Sequence, residues 1–360
     1  MMGRVPAPHF EAEGSPREAA GGRAADMALP PFGALVISLD FELHWGLRDH
    51  LPAGDPYHRS LLGARAAIPR LLALFEEFGI AATWATIGFL FARDRDELTD
   101  FFPAVRPQYR DPRFDPYREH VGRNESEDPL HFGRSLLERI RATPRQEIGS
   151  HTFSHYFCLE QGQDAASFRA DLESAQRIAA ATFGLRLQSL AIPKNQFAPG
   201  YAAAIRAAGF RCYRGNQHGG IYAPVNSRGA ASKAARAARL ADAYVRLCAE
   251  RLPSWLDLRP REGLSDVPAT RFLRPYSPML RSLDPLRALR IKAGLREAAR
   301  RRRIYHLWWH PHNSGAHIEE SMRFLRGILE EYRAVRDRWG LRSLCMAEAA
   351  EIAAPAGEWA

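Results

Sequence analysis

ALVISLDF, residues 34–41, is a run of apolar and β-branched residues that predicts a buried strand. RSLLGARAAIPRLLALFEEFG, residues 59–79, follows it with apolar residues at helical spacing and ends at a glycine, which predicts a helix. The alternation continues, with strands predicted at 80–89, 147–150, 187–193, 211–215, 303–310 and 341–346, and helices at 164–184, 199–210 and 321–340. Such alternation predicts an α/β protein with a parallel sheet, either a barrel or a doubly wound sheet.

The first strand ends in a pair of acidic residues, within SLDFELHWG at residues 38–46. Side chains alternate along a strand, so Asp40 and Glu42 point to the same side. Neighbouring carboxylates repel each other unless a cation or a shared proton lies between them. The pair indicates either a cation site or, less interestingly, a solvated strand end.

A pair of histidines follows a short predicted strand, within EIGSHTFSHYF at residues 147–157. On a helix or a tight turn, His151 and His155 face the same way and can bind one metal ion. Two histidines and one carboxylate make the ligand set of an open catalytic zinc site, in which water is the fourth ligand. The second carboxylate would then be free to act as the base, because Thr152 cannot.

The predicted strand at 303–310 leads into a further histidine, within YHLWWHPHNSG at residues 305–315. The proline after His310 holds this imidazole rigidly at the strand end, which suits a general acid; His306 and His312 are weaker alternatives. The neighbouring Trp308 and Trp309 either pack in the core or offer a face to a sugar ring.

A fourth polar cluster lies in LAIPKNQFAPGY, residues 190–201. Lys194, Asn195 and Gln196 follow a predicted strand, where parallel α/β folds place substrate-binding or base-orienting groups. An ordinary loop is an equally good interpretation of the same residues.

Composition narrows the classes of function. The 360 residues carry a net charge of +9, but they contain no helix-turn-helix, zinc-finger, RNP or basic-zipper pattern, so we expect no nucleic-acid partner. The positive charge is better explained by an anionic glycan as partner or by peripheral contact with a membrane surface. Residues 1–28 have the composition of a disordered segment and lack the apolar run of a secretory signal, which predicts a cytoplasmic protein.

In combination and order, these motifs resemble the NodB-homology polysaccharide deacetylases, carbohydrate esterase family 4. SHTFSH resembles the family's H-[ST]-x-x-H metal motif, LWWHP its L-x-x-H-P motif, and SLDFE a variant of T-F-D-D-G in which one residue separates the two acids. The resemblance spans roughly residues 33–352 and implies a distorted (β/α) barrel of about seven strands. Residues 91–133 and 214–281 would be insertions in it.

The resemblance also implies roles for individual residues. Asp40 would be the general base and His310 the general acid, and Lys194 would stand in for the family's usual arginine beside the base. Substrate contacts would come from Asn195, Gln196 and Trp309, and from Tyr201, near which a backbone N–H would stabilise the oxyanion. The metal would be bound by Glu42, His151 and His155; it is most simply Zn²⁺, with Co²⁺ or another divalent ion as the alternative.

These inferences predict metal-dependent removal of an N-acetyl group from an amino sugar, on a polysaccharide or on a nucleotide- or lipid-linked precursor of a surface glycan. Three alternatives remain open at this point. They are a metal-dependent amidase acting on a small non-glycan C–N substrate, a catalytically inactive glycan-binding homologue, and a membrane-surface or scaffold protein that uses the arginine-rich residues 286–303.

Overall fold

The computed structural model describes residues 29–51, 55, 57–197, 199–226, 232–245 and 251–359. The predicted disordered segment, residues 1–28, lies outside the described residues. Nine strands are present in the described part of the chain: Ala34–Phe41 (β1), Ala82–Thr86 (β2), Gln146–Ser150 (β3), Ser189–Ala191 (β4), Cys212–Arg214 (β5), Ser265–Asp266 (β6), Arg271–Phe272 (β7), Ile304–Trp309 (β8) and Arg342–Leu344 (β9).

All the paired strands run parallel, in the order β6-β5-β4-β3-β2-β1-β8-β7, with β9 added against β1. One edge of β1 is shared, because its first half pairs with β9 and its second half with β2. The other edge pairs with β8 along most of its length. The strand that carries the two predicted acids is therefore the most fully paired strand described.

A single broken strand closes the barrel. The backbone of Val267, just after β6, donates to the carbonyl of Tyr213 in β5, and the backbone of Thr270, just before β7, donates to the carbonyl of His306 in β8. Residues 265–272 thus bridge the two sides of the wall. With β6 and β7 counted as one position, the wall has seven positions, and the predicted distorted (β/α) barrel is confirmed.

Helices cover the outside of the barrel at His58–Phe78 (α1), Arg95–Asp100 (α2), Arg134–Ala142 (α3), Ala165–Phe183 (α4), Ala202–Ala207 (α5), Lys233–Tyr244 (α6), Asp284–Arg301 (α7), Ile318–Trp339 (α8) and Met346–Ala353 (α9). Left-handed glycines explain where two of the predicted helices end. Gly79 follows α1 with φ 64°, and Gly184 follows α4 with φ 63°. None of the described helices combines the length and the apolar character that crossing a bilayer requires.

The two faces of the sheet differ in chemistry. Leu39 and its neighbour in register, Trp309, belong to the apolar core between the sheet and the helices. The residues that precede Leu39 and Trp309 in their strands point the opposite way, into the barrel. On this inner face Ser38 lies in register with Thr83 of β2 and Trp308 of β8. This part of the interior is consequently lined by the polar Ser38 and Thr83 and by the ring of Trp308, and β1 carries its acids to the carboxyl end of that interior.

The two predicted insertions contain short elements. Residues 91–133 hold α2 and two 3₁₀ turns, Pro112–Phe114 and Pro116–Arg118. Residues 214–281 hold α6 and the broken strand. Part of the arginine-rich stretch 286–303 packs as α7, in which Ile291 and Leu295 are buried and Arg296 forms an ion pair with Glu331 of α8.

Candidate metal centre and surrounding site

Three buried side chains converge just beyond the ends of β1 and β3. Oε2 of Glu42 lies 3.3 Å from Nε2 of His151 and 3.3 Å from Nε2 of His155. One ligand atom from each residue lies within 4.8 Å of the other two, and the three residues are 3%, 1% and 2% exposed. Ligand atoms bound to a single zinc ion are separated by roughly 3–4 Å, so the spacing suits one ion.

The protonation states of the two histidines fit a cation. His151 donates from Nδ1 to the carbonyl of Ala191 at 2.8 Å, which leaves the lone pair of Nε2 facing Glu42. Burial lowers the pKa of His155 to about 4, although Glu42 acts in the opposite direction. Two imidazole nitrogens and one carboxylate form a donor set that fits a divalent ion such as Zn²⁺.

The histidines reach this position through a tight loop rather than a helix. Thr152 and His155 both have left-handed backbones, with φ 65° and 57°. The buried Asp171 of α4 fixes the loop between them, because it accepts from the backbone of Phe153 at 2.7 Å and from the hydroxyl of Ser154. Asp171 therefore holds both imidazoles in place without facing the metal ligands.

Gly46 gives Glu42 the room that its longer side chain needs. The 3₁₀ turn Leu43–Gly46 folds back after β1, and a Cβ on Gly46 would overlap the carboxylate of Glu42. The absence of a side chain at this position explains how a glutamate, rather than a shorter aspartate, fits beside the two histidines.

Asp40 forms a buried, two-pronged ion pair across the barrel. Nη1 and Nη2 of Arg214, at the end of β5, donate to Oδ1 and Oδ2 of Asp40 at 2.6 and 2.7 Å. Burial on its own would raise the pKa of Asp40, but Arg214, together with His151 and His310, holds it below its ordinary value. Asp40 is thus kept ionised next to the metal ligands, and its Oδ2 lies 4.0 Å from Nε2 of His151.

A hydrogen-bond chain fixes the arginine from behind. Arg214 also donates to the hydroxyl of Ser38 at 3.1 Å, and Ser38 lies 2.8 Å from Nε2 of His306. His306 uses Nδ1 for the carbonyl of Val267, at 3.1 Å, so its Nε2 accepts from the serine. Burial lowers the pKa of His306 to about 3, which keeps it neutral and makes it a structural support rather than an acid.

His310 completes the group from the end of β8. Its Nε2 lies 3.7 Å from Oδ2 of Asp40 and 3.5 Å from Oε1 of Glu42, and its side chain is 23% exposed. His312 stacks behind it at 4.9 Å, but burial, followed by the charge of His310, lowers the pKa of His312 to about 3. Of these two histidines, only His310 both faces the acids and reaches solvent.

Lys194 does not lie where the sequence predicted. Its ammonium forms an ion pair with Asp49 and sits 4.6 Å from the centre of the Phe157 ring, while Arg214 occupies the place beside Asp40. The prediction that Lys194 supports Asp40 is therefore wrong. The sequence did contain a signal for Arg214, since it ends the predicted strand RCYRG, where sites of parallel α/β folds collect.

The predicted substrate-binding residues divide in the structure. Asn195 accepts from Nη2 of Arg214 at 3.4 Å and borders a cavity beside the site. Gln196 is fully buried against Glu160, and Trp309 is buried in the outer core. Neither has a face that a substrate can reach, so the prediction of substrate contact is wrong for both.

Tyr201 likewise turns away from this group. Its ring packs against Phe168 of α4 at 5.0 Å, and its hydroxyl donates to Gln163. Trp308, rather than Trp309, is the tryptophan of the site, since its ring lies 4.3 Å from the guanidinium of Arg214 and 5.7 Å from the ring of His310.

The cavity beside the site has a volume of about 300 Å³. Its walls combine aromatic, amide and cationic side chains, namely Phe272 and Trp308, Asn195 and Asn216, and Arg239, Arg271 and Arg274. Aromatic faces suit a sugar ring, and the three arginines place guanidinium groups in the same walls.

Comparisons with known proteins relate the chain to one family and to one fold. The polysaccharide deacetylase family model matches residues 62–213. A putative polysaccharide deacetylase from Mycobacterium smegmatis has a similar structure, with a TM-score of 0.56 and 14% identity over 90% of this chain and 91% of that one. A probable polysaccharide deacetylase from Pseudomonas aeruginosa PAO1 aligns with a TM-score of 0.49 and 12% identity over 89% of each chain. No curated protein matches the chain significantly.

The family match and the shared fold confirm the predicted resemblance to the polysaccharide deacetylases. The matched residues include His151 and His155 but neither Asp40, Glu42 nor His310. It is the barrel that brings these three residues to the two histidines.

We expect Gly46→Ala to weaken zinc binding by about tenfold or more, because the added methyl group displaces the Glu42 carboxylate. Competition titration of metal-free protein with a zinc chelator measures the effect. Gly327→Ala is a matched control, since nothing lies within 4 Å of a Cβ at that position in α8. Equal zinc affinity for Gly46→Ala and Gly327→Ala would contradict the proposed position of Glu42.

We expect Asp171→Asn to change how stability depends on pH. Burial raises the pKa of Asp171 to about 7, against the hydrogen bonds that lower it. Its proton is therefore held more tightly in the folded than in the unfolded chain, so the stability it contributes is present at acid pH and lost as the pH rises from about 4 to about 7. Urea unfolding at several pH values should show wild type losing at least about 1 kcal/mol relative to Asp171→Asn over this range. Parallel pH profiles for the two proteins would show that Asp171 titrates normally.

Proposed function

We propose that the chain is a metal-dependent hydrolase that removes an N-acetyl group from an amino sugar. The observation that carries the proposal is the convergence of Glu42, His151 and His155 with an ionised Asp40 and a partly exposed His310 at the carboxyl end of the barrel. The family match supports the reaction class, because polysaccharide deacetylases hydrolyse acetyl groups on glycans.

In this proposal Glu42, His151 and His155 bind the divalent ion. A zinc ion bound there would polarise the acetyl carbonyl and lower the pKa of a bound water towards ~7. Asp40 would be the base that takes a proton from the attacking water, and Arg214, which engages both of its carboxylate oxygens, keeps it charged. Arg214 is a positioning residue, since it acts through Asp40.

His310 serves as the acid in the second half of the reaction. Its Nε2 lies 3.7 Å from Oδ2 of Asp40 and 3.5 Å from Oε1 of Glu42, so the ring faces the group at which the acetyl amide would be bound. From that position His310 protonates the departing amine of the sugar. Its partial exposure allows the proton to be replaced from solvent.

The adjoining cavity favours a substrate that carries both a sugar and negative charge. Trp308 and Phe272 offer aromatic surface, while Arg271 and Arg274 contribute positive charge to the same walls. These features support a nucleotide- or lipid-linked precursor of a surface glycan over a neutral polymer. Cytoplasmic location and peripheral membrane contact stay predictions.

The small volume of the cavity also leaves room for a second candidate, an amidase acting on a small non-glycan substrate. Mass spectrometry of a panel of UDP-linked and lipid-linked N-acetyl sugars, N-acetylated oligosaccharides and simple cyclic or linear amides, each incubated with zinc-loaded protein, separates the possibilities. Acetate released only from the charged sugars supports the proposal. Cleavage of the simple amides alone supports the amidase, and no product from any compound supports an inactive glycan-binding protein.

We expect the site residues to divide into two groups on mutation. Asp40→Asn and His310→Ala should retain the metal and lose about 10²–10⁴-fold in kcat, the usual loss on removal of a positioned base or acid. Glu42→Ala and His151→Ala should each contain one equivalent of metal less than wild type, and should be inactive. Elemental analysis and acetate release measure the two effects. If Asp40→Asn lost the metal while Glu42→Ala kept it, the roles of the two acids would be exchanged.

We expect Arg214→Lys to lower kcat and to move the acid limb of the pH–rate profile upward. A lysine offers no two-pronged contact, so the pKa of Asp40 rises and the base is protonated at a higher pH. Lys194→Ala is the matched control, because its partner is Asp49, and it should leave the profile in place. A shift for Lys194→Ala but not for Arg214→Lys would contradict the arrangement described here.

A further inference from the structure

A second cluster of side chains that could bind a metal ion includes His44, from the turn that follows Glu42. Nε2 of His44 is 3.6 Å from Oε1 of Glu119, and Nε2 of His131 is 3.9 Å from the same oxygen. One ligand atom from each residue lies within 4.8 Å of the other two. The spacing again corresponds to ligand atoms that share one ion, roughly 3–4 Å apart.

The hydrogen bonding of His131 orients its ring for a cation. Nδ1 of His131 lies 2.8 Å from Oδ2 of Asp128 and donates to it, so Nε2 carries the lone pair. Asp128 is held in turn by the backbone of Gly122 at 2.8 Å. A carboxylate that orients a histidine from behind is the usual second layer of a metal site.

The rings of His44 and His131 are both buried, and one nitrogen of each ring has no hydrogen-bond partner among the described residues. His44 and His131 are 6% and 8% exposed, and in the described part of the chain Nδ1 of His44 and Nε2 of His131 have no hydrogen-bond partner. A lone pair on Nε2 of His131 facing the Glu119 carboxylate is repulsive, and 3.9 Å is too long for a hydrogen bond from a protonated ring. A divalent cation between them removes the repulsion and satisfies Nε2.

The backbone around the cluster is fixed before any ion binds. The backbone of His44 donates to the carbonyl of Leu130 at 3.2 Å, and the indole of Trp45 donates to the carbonyl of His131 at 2.9 Å. A further imidazole, His58 at the start of α1, lies edge-on to His44 at 5.4 Å with its Nε2 buried and unpartnered among the described residues. Its ring therefore borders the cluster on the side of His44.

We propose that His44, Glu119 and His131 form a second divalent-cation site, separate from the one at Glu42, His151 and His155. Two nitrogen ligands and one oxygen favour zinc over magnesium or calcium. The ligands come from the turn after β1 and from two points in the insertion 91–133, so the ion fastens this insertion to the end of the central strand. Its role is structural, and it does not depend on the reaction proposed above.

The test is the zinc stoichiometry of the full-length chain, without an affinity tag, stripped by a chelator and reloaded with zinc. Wild type should bind two ions. His131→Asn and His151→Asn should each bind one, and the double variant none. His50→Asn is the control and should bind two, because that side chain is 54% exposed and belongs to neither cluster.

A stability readout locates the second ion. In His151→Asn, zinc should raise Tm, because binding to the folded state alone stabilises it; in the double variant it should not. Should His131→Asn fail to fold, Glu119→Gln decides, since its side chain is 32% exposed and should be tolerated. If folded His131→Asn or folded Glu119→Gln still bound two ions, the proposal would be overturned. It would also be overturned if wild type bound a single ion and His151→Asn bound none.

Discussion

The buried ion pair between Asp40 and Arg214 is the interaction on which the rest of the site depends. It connects β1 to β5, four positions away in the sheet, through the interior of the barrel. Two ionised groups out of water are tolerated only when their geometry is good. Here Ser38 and Asn195 also accept from the guanidinium, while its Nε has no partner among the described residues. Removing one partner of such a pair typically costs about 3–5 kcal/mol. The same contact therefore holds the barrel together and keeps the proposed base charged.

Burial sorts the histidines around this pair. It lowers the pKa values of His155, His306 and His312 to about 4, 3 and 3, so these imidazoles remain neutral at any ordinary pH. A neutral ring can offer a lone pair to a metal or a serine, but it cannot supply a proton. His310 differs from them in reaching solvent, with 23% of its side chain exposed. Whether one of these histidines can act as a ligand, a structural support or an acid therefore depends on how deeply it is buried in the barrel.

The sequence predicted the positions of side chains correctly where a short spacing along the chain determines the side to which they point. The two-residue period of β1 put Asp40 and Glu42 on one side, and the four-residue spacing put His151 beside His155. The same period could have distinguished the tryptophans: His310 faces inward, so Trp308 does too and Trp309 does not. That consequence was available in the sequence and was missed.

Loop positions were a different matter, since no period governs them. The backbones of Lys194 and Asn195 are left-handed, with φ 53° for each. The residue types at 193–195 do not indicate in which direction the side chains of such a turn point. Arg214 was missed because its partner is distant in sequence. A contact between strands four positions apart depends on how the barrel curves, which a single sequence does not reveal.

The pairing of β1 also has a consequence for how the chain is made. Ala34 lies opposite Ile304 on one edge and Arg342 on the other, so the first half of β1 is synthesised well before both of its neighbours, whereas the second half can pair early with β2. Until then its apolar residues can pair with any exposed strand, in the same molecule or another. Contacts so distant in sequence are slow to form because a long loop must close first. The first half of β1 therefore stays without its partner strands for most of the time in which the described chain is synthesised.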